Sequence, residues 1–200
     1  MPGRDGADGL KRGTLMVGDV EALLRQLWNL NDKDDIRQAR EEAPASASEI
    51  PTCDPATTLA MSPMLRGRYA FADAWHGAAF GQTWPGLGEI ATISARLRER
   101  PWHDAHMKAM ARALPEGADP GRVVVLGIDE AKGQATYLVA LGDDVEPVVC
   151  TFYGGGRNLF RDLGRYLEFL VGERVHDDSL EILIPPGQHA AGQSTATAPA

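Results

Sequence analysis

The sequence predicts an α+β fold in which a small antiparallel sheet is packed by helices. Three short segments, 122–128, 135–141 and 146–152, are rich in β-branched residues and are joined by short links that contain glycine. This pattern is typical of a three-strand meander connected by hairpins. Apolar residues at helical spacing lie before and after the meander, so helices are expected to cover its apolar face.

The first part of the chain alternates between one amphipathic helix and irregular segments. Residues 1–14 are polar and rich in glycine, which predicts a disordered arm. Asp19 precedes an apolar repeat that runs to Trp28, which predicts a helix over 19–30 with Asp19 at its cap. Residues 43–63 contain four prolines, which favours an irregular connection.

The remaining helices are predicted from apolar stripes at 68–76, 87–98 and 103–114. The glycine run 154–156 is interpreted as a flexible turn, followed by a helix that is capped by Asn158 and ends near Gly172. The last residues, 185–200, lack core-forming side chains and predict a disordered tail. One domain over 15–184 is therefore expected.

The charge and hydropathy of the chain restrict the class of molecule that it is expected to bind. The formal net charge of −8 repels nucleic acid backbones and anionic membranes, and it favours a basic partner. No apolar segment approaches the length of about 18 to 20 residues that spans a bilayer. The first residues do not resemble a signal peptide, so a cytoplasmic location is expected.

Acidic residues are concentrated in the C-terminal half, where residues 128–181 hold eleven acids against five bases. Two predicted turns carry five of these acids and would project from opposite ends of the middle strand. The turn after the middle strand has three acids without a nearby base, whereas Lys132 partly offsets the acids of the other turn. The expected partner-binding residues are Asp143, Asp144 and Glu146, with Asp129 and Glu130 as secondary candidates.

The arrangement of the C-terminal half resembles the SMI1/KNR4 family, also called the SUKH superfamily, over residues 87–172. The stretches that carry the resemblance are GLGEIATISARLRER, VVVLGIDEAKGQATYLVAL, EPVVCTFYGGG and NLFRDLGRYLEFLVGE. The resemblance implies an antiparallel sheet flanked by helices and a protein-binding module without catalytic activity. It further implies an immunity protein that neutralises a cognate bacterial toxin, or a regulatory adaptor, and the acidic charge of the chain favours a basic toxin.

An enzyme is the competing interpretation. His103 and His106 lie one helical turn apart with Asp104 between them, so a metal-dependent hydrolase could use both imidazoles. A third ligand is missing from the neighbouring sequence, which favours a solvated helix start. A third class, an assembly protein whose irregular segments become ordered on binding, also remains open.

The other reactive groups give no site from sequence alone. Cys150 lies in an apolar strand and is expected to act as a small hydrophobic residue. Cys53 lies in the proline-rich segment and is expected to be more exposed, with Asp54 disfavouring its thiolate. The glycine run lacks the spacing of a nucleotide-binding loop. No metal or cofactor is therefore predicted.

Overall fold

The computed structural model describes residues 17–42, 47–114, 119–141 and 146–173. The predicted disordered arm, 1–14, and the predicted tail, 185–200, lie outside these residues. Within them the chain forms five α-helices and a seven-stranded antiparallel sheet. The mixed composition of helices and antiparallel strands is thus confirmed. None of the helices in the described ranges is both long and apolar enough to cross a bilayer.

The helices and strands follow one another along the whole described chain. The helices are α1 (Val17–Lys33), α2 (Pro63–Phe71), α3 (Leu87–Leu97), α4 (Pro101–Ala113) and α5 (Leu163–Leu170). The strands are β1 (Ala39–Arg40), β2 (Glu49–Pro51), β3 (Thr58–Ala60), β4 (Trp75–Ala79), β5 (Gln82–Trp84), β6 (Val123–Asp129), β7 (Gln134–Val139), β8 (Val148–Tyr153) and β9 (Gly156–Phe160).

The main sheet has the strand order β1-β4-β5-β6-β7-β8-β9, and β2 and β3 form a separate hairpin. The three segments predicted as strands correspond to β6, β7 and β8, but the sheet does not end with them. It continues through β9 on one side and through β5, β4 and β1 on the other. The sheet is therefore larger than the small one expected from the sequence.

The glycine run forms a hairpin turn, and the prediction that a helix starts at Asn158 is wrong. Gly154 and Gly155 have φ values of 59° and 78°. Two successive left-handed residues give the turn that suits a two-residue hairpin, so the chain returns as β9. Asn158 pairs with Thr151 inside the sheet. The helix begins later because the Asp162 carboxylate accepts from the Arg165 amide at 2.8 Å and caps α5.

The segment predicted to be irregular is partly regular. Residues 47–63 contain the β2–β3 hairpin and the first residue of α2, while residues 43–46 lie outside the described part. The second helix begins five residues before the predicted position 68. The reason is local, since the Ser62 hydroxyl accepts from the Leu65 amide and Pro63 occupies the first helical position.

Helices cover both faces of the main sheet. Val124, Leu138 and Val149 lie on the face that packs against α1, α2 and α5. On the opposite face, Val125 and Tyr137 pack with side chains of α3 and α4. Strands β6, β7 and β8 are therefore buried along nearly their whole length. They lack the alternation of buried and exposed residues that a sheet with one solvated face shows.

The β4–β5 hairpin is held at its base by Arg68, which is 1% exposed. Its Nη1 donates to the carbonyl oxygens of Ala72 and Asp73 at 2.6 Å each, and its Nη2 donates to the carbonyl of Pro85 at 3.3 Å. Two of these carbonyls precede β4 and the third follows β5. The guanidinium thus joins both ends of the hairpin to the end of α2.

A close approach on β6 yields a stability prediction. A Cβ atom at Gly127 would lie 2.5 Å from Gln82 Oε1 and 2.7 Å from Trp84 Cδ1. Because both side chains are fully buried, we expect Gly127→Ala to lower the free energy of unfolding by about 1–3 kcal/mol. Gly88 in α3 has no heavy atom within 4 Å of such a Cβ, so Gly88→Ala should stabilise by roughly 0.5 kcal/mol. Urea denaturation measures both variants, and equal effects would contradict the packing described for β6.

Candidate functional site

The acids of the β6–β7 turn are engaged within the chain. Burial raises the pKa of Asp129, but the hydrogen bonds and charge of Lys132 outweigh it and hold this pKa below its ordinary value. Its carboxylate lies 2.9 Å from Lys132 Nζ and accepts from the Lys132 amide at 3.1 Å. Glu130 forms ion pairs with Arg96 and Arg100. Glu130 therefore fixes the turn against α3 and the start of α4, while Asp129 is held within the turn itself.

Glu146 is half-buried and caps a helix, which differs from the exposed acid expected at a partner contact. Its carboxylate accepts from Ser62 Oγ at 2.6 Å and from the Met64 amide at 2.9 Å, at the first turn of α2. Burial raises the pKa of Glu146 in spite of these hydrogen bonds. Asp143 and Asp144 lie outside the described residues. The described candidate acids thus stabilise the fold, and none of them is an unpaired surface charge.

The two imidazoles of α4 face the sheet, so the predicted solvated helix start is wrong for both. His103 Nδ1 lies 2.9 Å from the Tyr137 hydroxyl, and His106 Nδ1 lies 3.3 Å from the same oxygen. The His106 ring stacks on Phe152 at a centroid distance of 3.9 Å. One phenol hydroxyl can donate to one imidazole and accept from the other, which requires complementary tautomers.

Burial controls the charge of the cluster that His103 and His106 form with Tyr137. Burial lowers the pKa of His103, and it lowers the pKa of His106 to about 4 with a smaller contribution from the charge of His103. Both imidazoles are therefore neutral at pH 7. No group of three or more histidine, cysteine or acidic side chains placed to hold a metal occurs among the described residues. The cluster packs α4 on the sheet.

The two thiols are buried as well. Cys150 is 0% exposed and Cys53 is 1% exposed, so the expectation of a more exposed Cys53 is wrong. Burial raises the pKa of Cys53 to about 11 and that of Cys150 to about 12. At neutral pH both groups are protonated thiols, which are poor nucleophiles.

The feature that sequence reasoning missed is an aromatic surface formed by Phe80, Tyr153 and Phe169. Phe80 occupies the β4–β5 turn, is 41% exposed and has a φ of 53°. Its ring stacks on Tyr153 with a centroid distance of 4.1 Å and an interplanar angle of 16°, and it lies 6.4 Å from Phe169. An exposed phenylalanine in the left-handed region is an outlier among bulky residues.

Three hairpin turns lie at the same end of the sheet as this aromatic surface. They are the β4–β5 turn, the β6–β7 turn and the β8–β9 turn, as the antiparallel strand order requires. Gly154 and Gly155 follow Tyr153 directly, and no heavy atom lies within 4 Å of a Cβ at either position. A partner can therefore approach the backbone beside the aromatic rings closely.

A cleft of about 480 Å³ lies at the other end of the sheet, between the β2–β3 hairpin, the start of α2 and the ends of β6 and β7. Its floor is apolar and includes Ile50, Val124 and Leu138, while Arg66 and Arg122 contribute the positive charge. Ser62, which lines the cleft, donates its hydroxyl hydrogen bond to Glu146. The cleft and the aromatic surface are thus separate features.

No protein-family model, curated protein or solved structure matches this chain.

The buried imidazole of His106 yields a pH prediction. An unfolded histidine has a pKa near 6.5, whereas the folded value is about 4. Between these values the unfolded chain binds a proton that the folded chain does not, so stability is full above pH 6.5 and falls as the pH drops toward 4. Since the ring is only partly buried and solvent screens it, we expect a loss on the order of 1–2 kcal/mol.

His106→Phe keeps an aromatic ring over Phe152 and removes the titrating group. Chemical denaturation between pH 7 and pH 4 should therefore show a shallower loss of stability than in the unmodified protein, and the lowered pKa of His103 contributes to the loss that remains. His76 is exposed on β4, so His76→Phe is the matched control and should keep the full pH dependence. An unchanged pH dependence in His106→Phe would contradict the burial of this imidazole.

Proposed function

We propose that the chain is a non-catalytic protein-binding module whose contact surface is the aromatic surface. The observation that carries the proposal is Phe80, which is exposed although its backbone has a left-handed conformation that disfavours a bulky side chain. Asparagine or glycine would fit this position of a two-residue turn with less strain. A strained residue that is held at the surface supports a use for its side chain outside the fold.

The aromatic rings have the properties of an interface anchor. The stack on Tyr153 fixes the Phe80 ring before any partner arrives, which lowers the entropy lost on binding. Large aromatic side chains carry much of the binding energy in protein interfaces. The neighbouring glycine turn leaves room for a partner backbone. Together these features favour a preformed contact surface for a folded protein.

The proposed partner is a positively charged protein. The chain has a formal net charge of −8, which accelerates the approach of a cationic partner. The faces of aromatic rings attract arginine and lysine side chains once they are in contact. The acids described in the β6–β7 turn and at α2 are internally paired, so we assign them no direct contact with the partner.

The biological role that we propose is that of an immunity protein in the cytoplasm, bound to a cognate toxin. The resemblance of residues 87–172 to the SMI1/KNR4 family supports this role. The buried imidazoles and protonated thiols support a binding function over a metal-dependent hydrolase that uses His103 and His106. We identify no cofactor requirement for such a module.

The test uses the purified protein encoded by the neighbouring gene and the variant Phe80→Asn. Asparagine tolerates the left-handed conformation, so this variant should keep the fold while it removes the anchor. We expect at least about tenfold weaker binding in calorimetry and loss of protection when the neighbouring protein is expressed in cells.

Ile36→Asn is the matched control, because Ile36 is 39% exposed and is the other large exposed hydrophobic residue among those the structure describes. This variant should bind as the unmodified protein does. Unchanged binding in Phe80→Asn would contradict the assigned surface. Absence of any binding between the unmodified chain and the neighbouring protein would contradict the immunity role.

A further inference from the structure

A row of small and polar residues crosses the sheet face that α5 covers. Gly127 on β6 pairs with Thr136 on β7, Thr136 pairs with Thr151 on β8, and Thr151 pairs with Asn158 on β9. Thr136 and Thr151 are 0% exposed. The residues around this row on the same face are apolar, so the row is a polar strip inside a hydrophobic core.

Side chains from β5 and α5 close over the row. Thr136 Oγ1 donates to Gln82 Oε1 at 2.9 Å. Gln82 Oε1 and Trp84 Cδ1 lie 2.5 Å and 2.7 Å from the position that a Cβ at residue 127 would take, so glycine leaves space for both side chains. The Trp84 and Tyr166 rings lie 6.3 Å apart, and the Thr136 hydroxyl opposes the rise that burial causes in the pKa of Tyr166. These groups therefore form one buried polar cluster.

Three polar atoms of this cluster are buried without a hydrogen-bond partner in the chain, namely Gln82 Nε2, Trp84 Nε1 and Thr151 Oγ1. The amide and indole nitrogens can only donate, so a hydrogen-bond acceptor must reach them. The Thr151 hydroxyl can either donate or accept. Buried polar atoms in native proteins are almost always paired with protein or with ordered water.

We propose that this cluster is an internal binding site for ordered water between the sheet, the β4–β5 hairpin and α5. A water accepts hydrogen bonds from Gln82 Nε2 and from Trp84 Nε1, and it donates a hydrogen bond to the Thr151 hydroxyl. The cluster carries no formal charge and requires a small ligand that both donates and accepts, which is the chemistry of water.

The proposal explains why a polar strip is kept in an apolar core. A dry strip would leave three groups without partners and would favour their replacement by apolar residues of similar shape. A hydrated strip instead links Gln82 and Trp84 of the hairpin to the central strands. Water therefore serves as a structural ligand that holds the β4–β5 hairpin on the sheet.

The variant Thr151→Val distinguishes a hydrated cluster from a dry one, because it preserves the shape of the side chain and removes one hydroxyl. In a hydrated cluster the change removes the hydroxyl that binds the water, and the midpoint of thermal unfolding should fall by about 2–4 °C. In a dry cluster the change removes an unpaired polar group, and the midpoint should stay constant or rise. Thr83→Val on β5, outside the core, is the control and should shift the midpoint by about 1 °C or less.

A crystal structure of the unmodified full chain at about 1.5 Å provides the second measurement. We expect electron density for water within about 3.2 Å of both Gln82 Nε2 and Trp84 Nε1. The proposal requires this density and the lower midpoint of Thr151→Val together. The proposal would be overturned if Gln82 Nε2 and Trp84 Nε1 contacted protein atoms directly, with no water density between them. It would also be overturned if the unfolding midpoint of Thr151→Val were equal to or above that of the unmodified protein.

Discussion

The constraint on which much of this structure depends is the buried guanidinium of Arg68. Three backbone carbonyls, those of Ala72, Asp73 and Pro85, receive its hydrogen bonds, and they lie on both sides of the β4–β5 hairpin. The guanidinium also lies over the rings of Tyr69 and Trp84. A buried positive charge is tolerated because fixed carbonyl dipoles and aromatic faces replace its hydration.

The hairpin held in this way connects the interior with the surface. Its second strand brings Gln82 and Trp84 over the polar strip of the sheet, where Gly127 provides the space. Its turn brings Phe80 onto Tyr153, although these residues are distant in sequence. The position of the proposed contact surface therefore follows from the packing of the hairpin base. On the opposite face, the neutral imidazoles and Tyr137 attach α4 to the same central strands.

The sequence predicts the elements whose signals are local. The stripes of α1, α3 and α4 and the β-branched segments of β6, β7 and β8 lie close to their predicted positions. Strand β9 was missed because a glycine run is compatible with a hairpin turn into a strand and with a loop into a helix. The backbone conformations of Gly154 and Gly155, which the sequence does not show, decide between the two. The internal contacts of Glu130 and Glu146 could not be predicted because their partners lie far away in the chain. The Phe80 surface has no sequence signal, since turn preferences oppose phenylalanine there.

Amide hydrogen exchange of Arg68→Met tests directly whether the guanidinium holds the hairpin. Methionine fills similar apolar space but leaves the three carbonyls without their donor. We expect amides of Trp75–Ala79 and Gln82–Trp84 to exchange much faster, while those of Gln134–Val139 and Val148–Tyr153 stay protected. Unchanged protection of the hairpin, or an equal loss of protection in all four strands, would contradict a local clamp at Arg68.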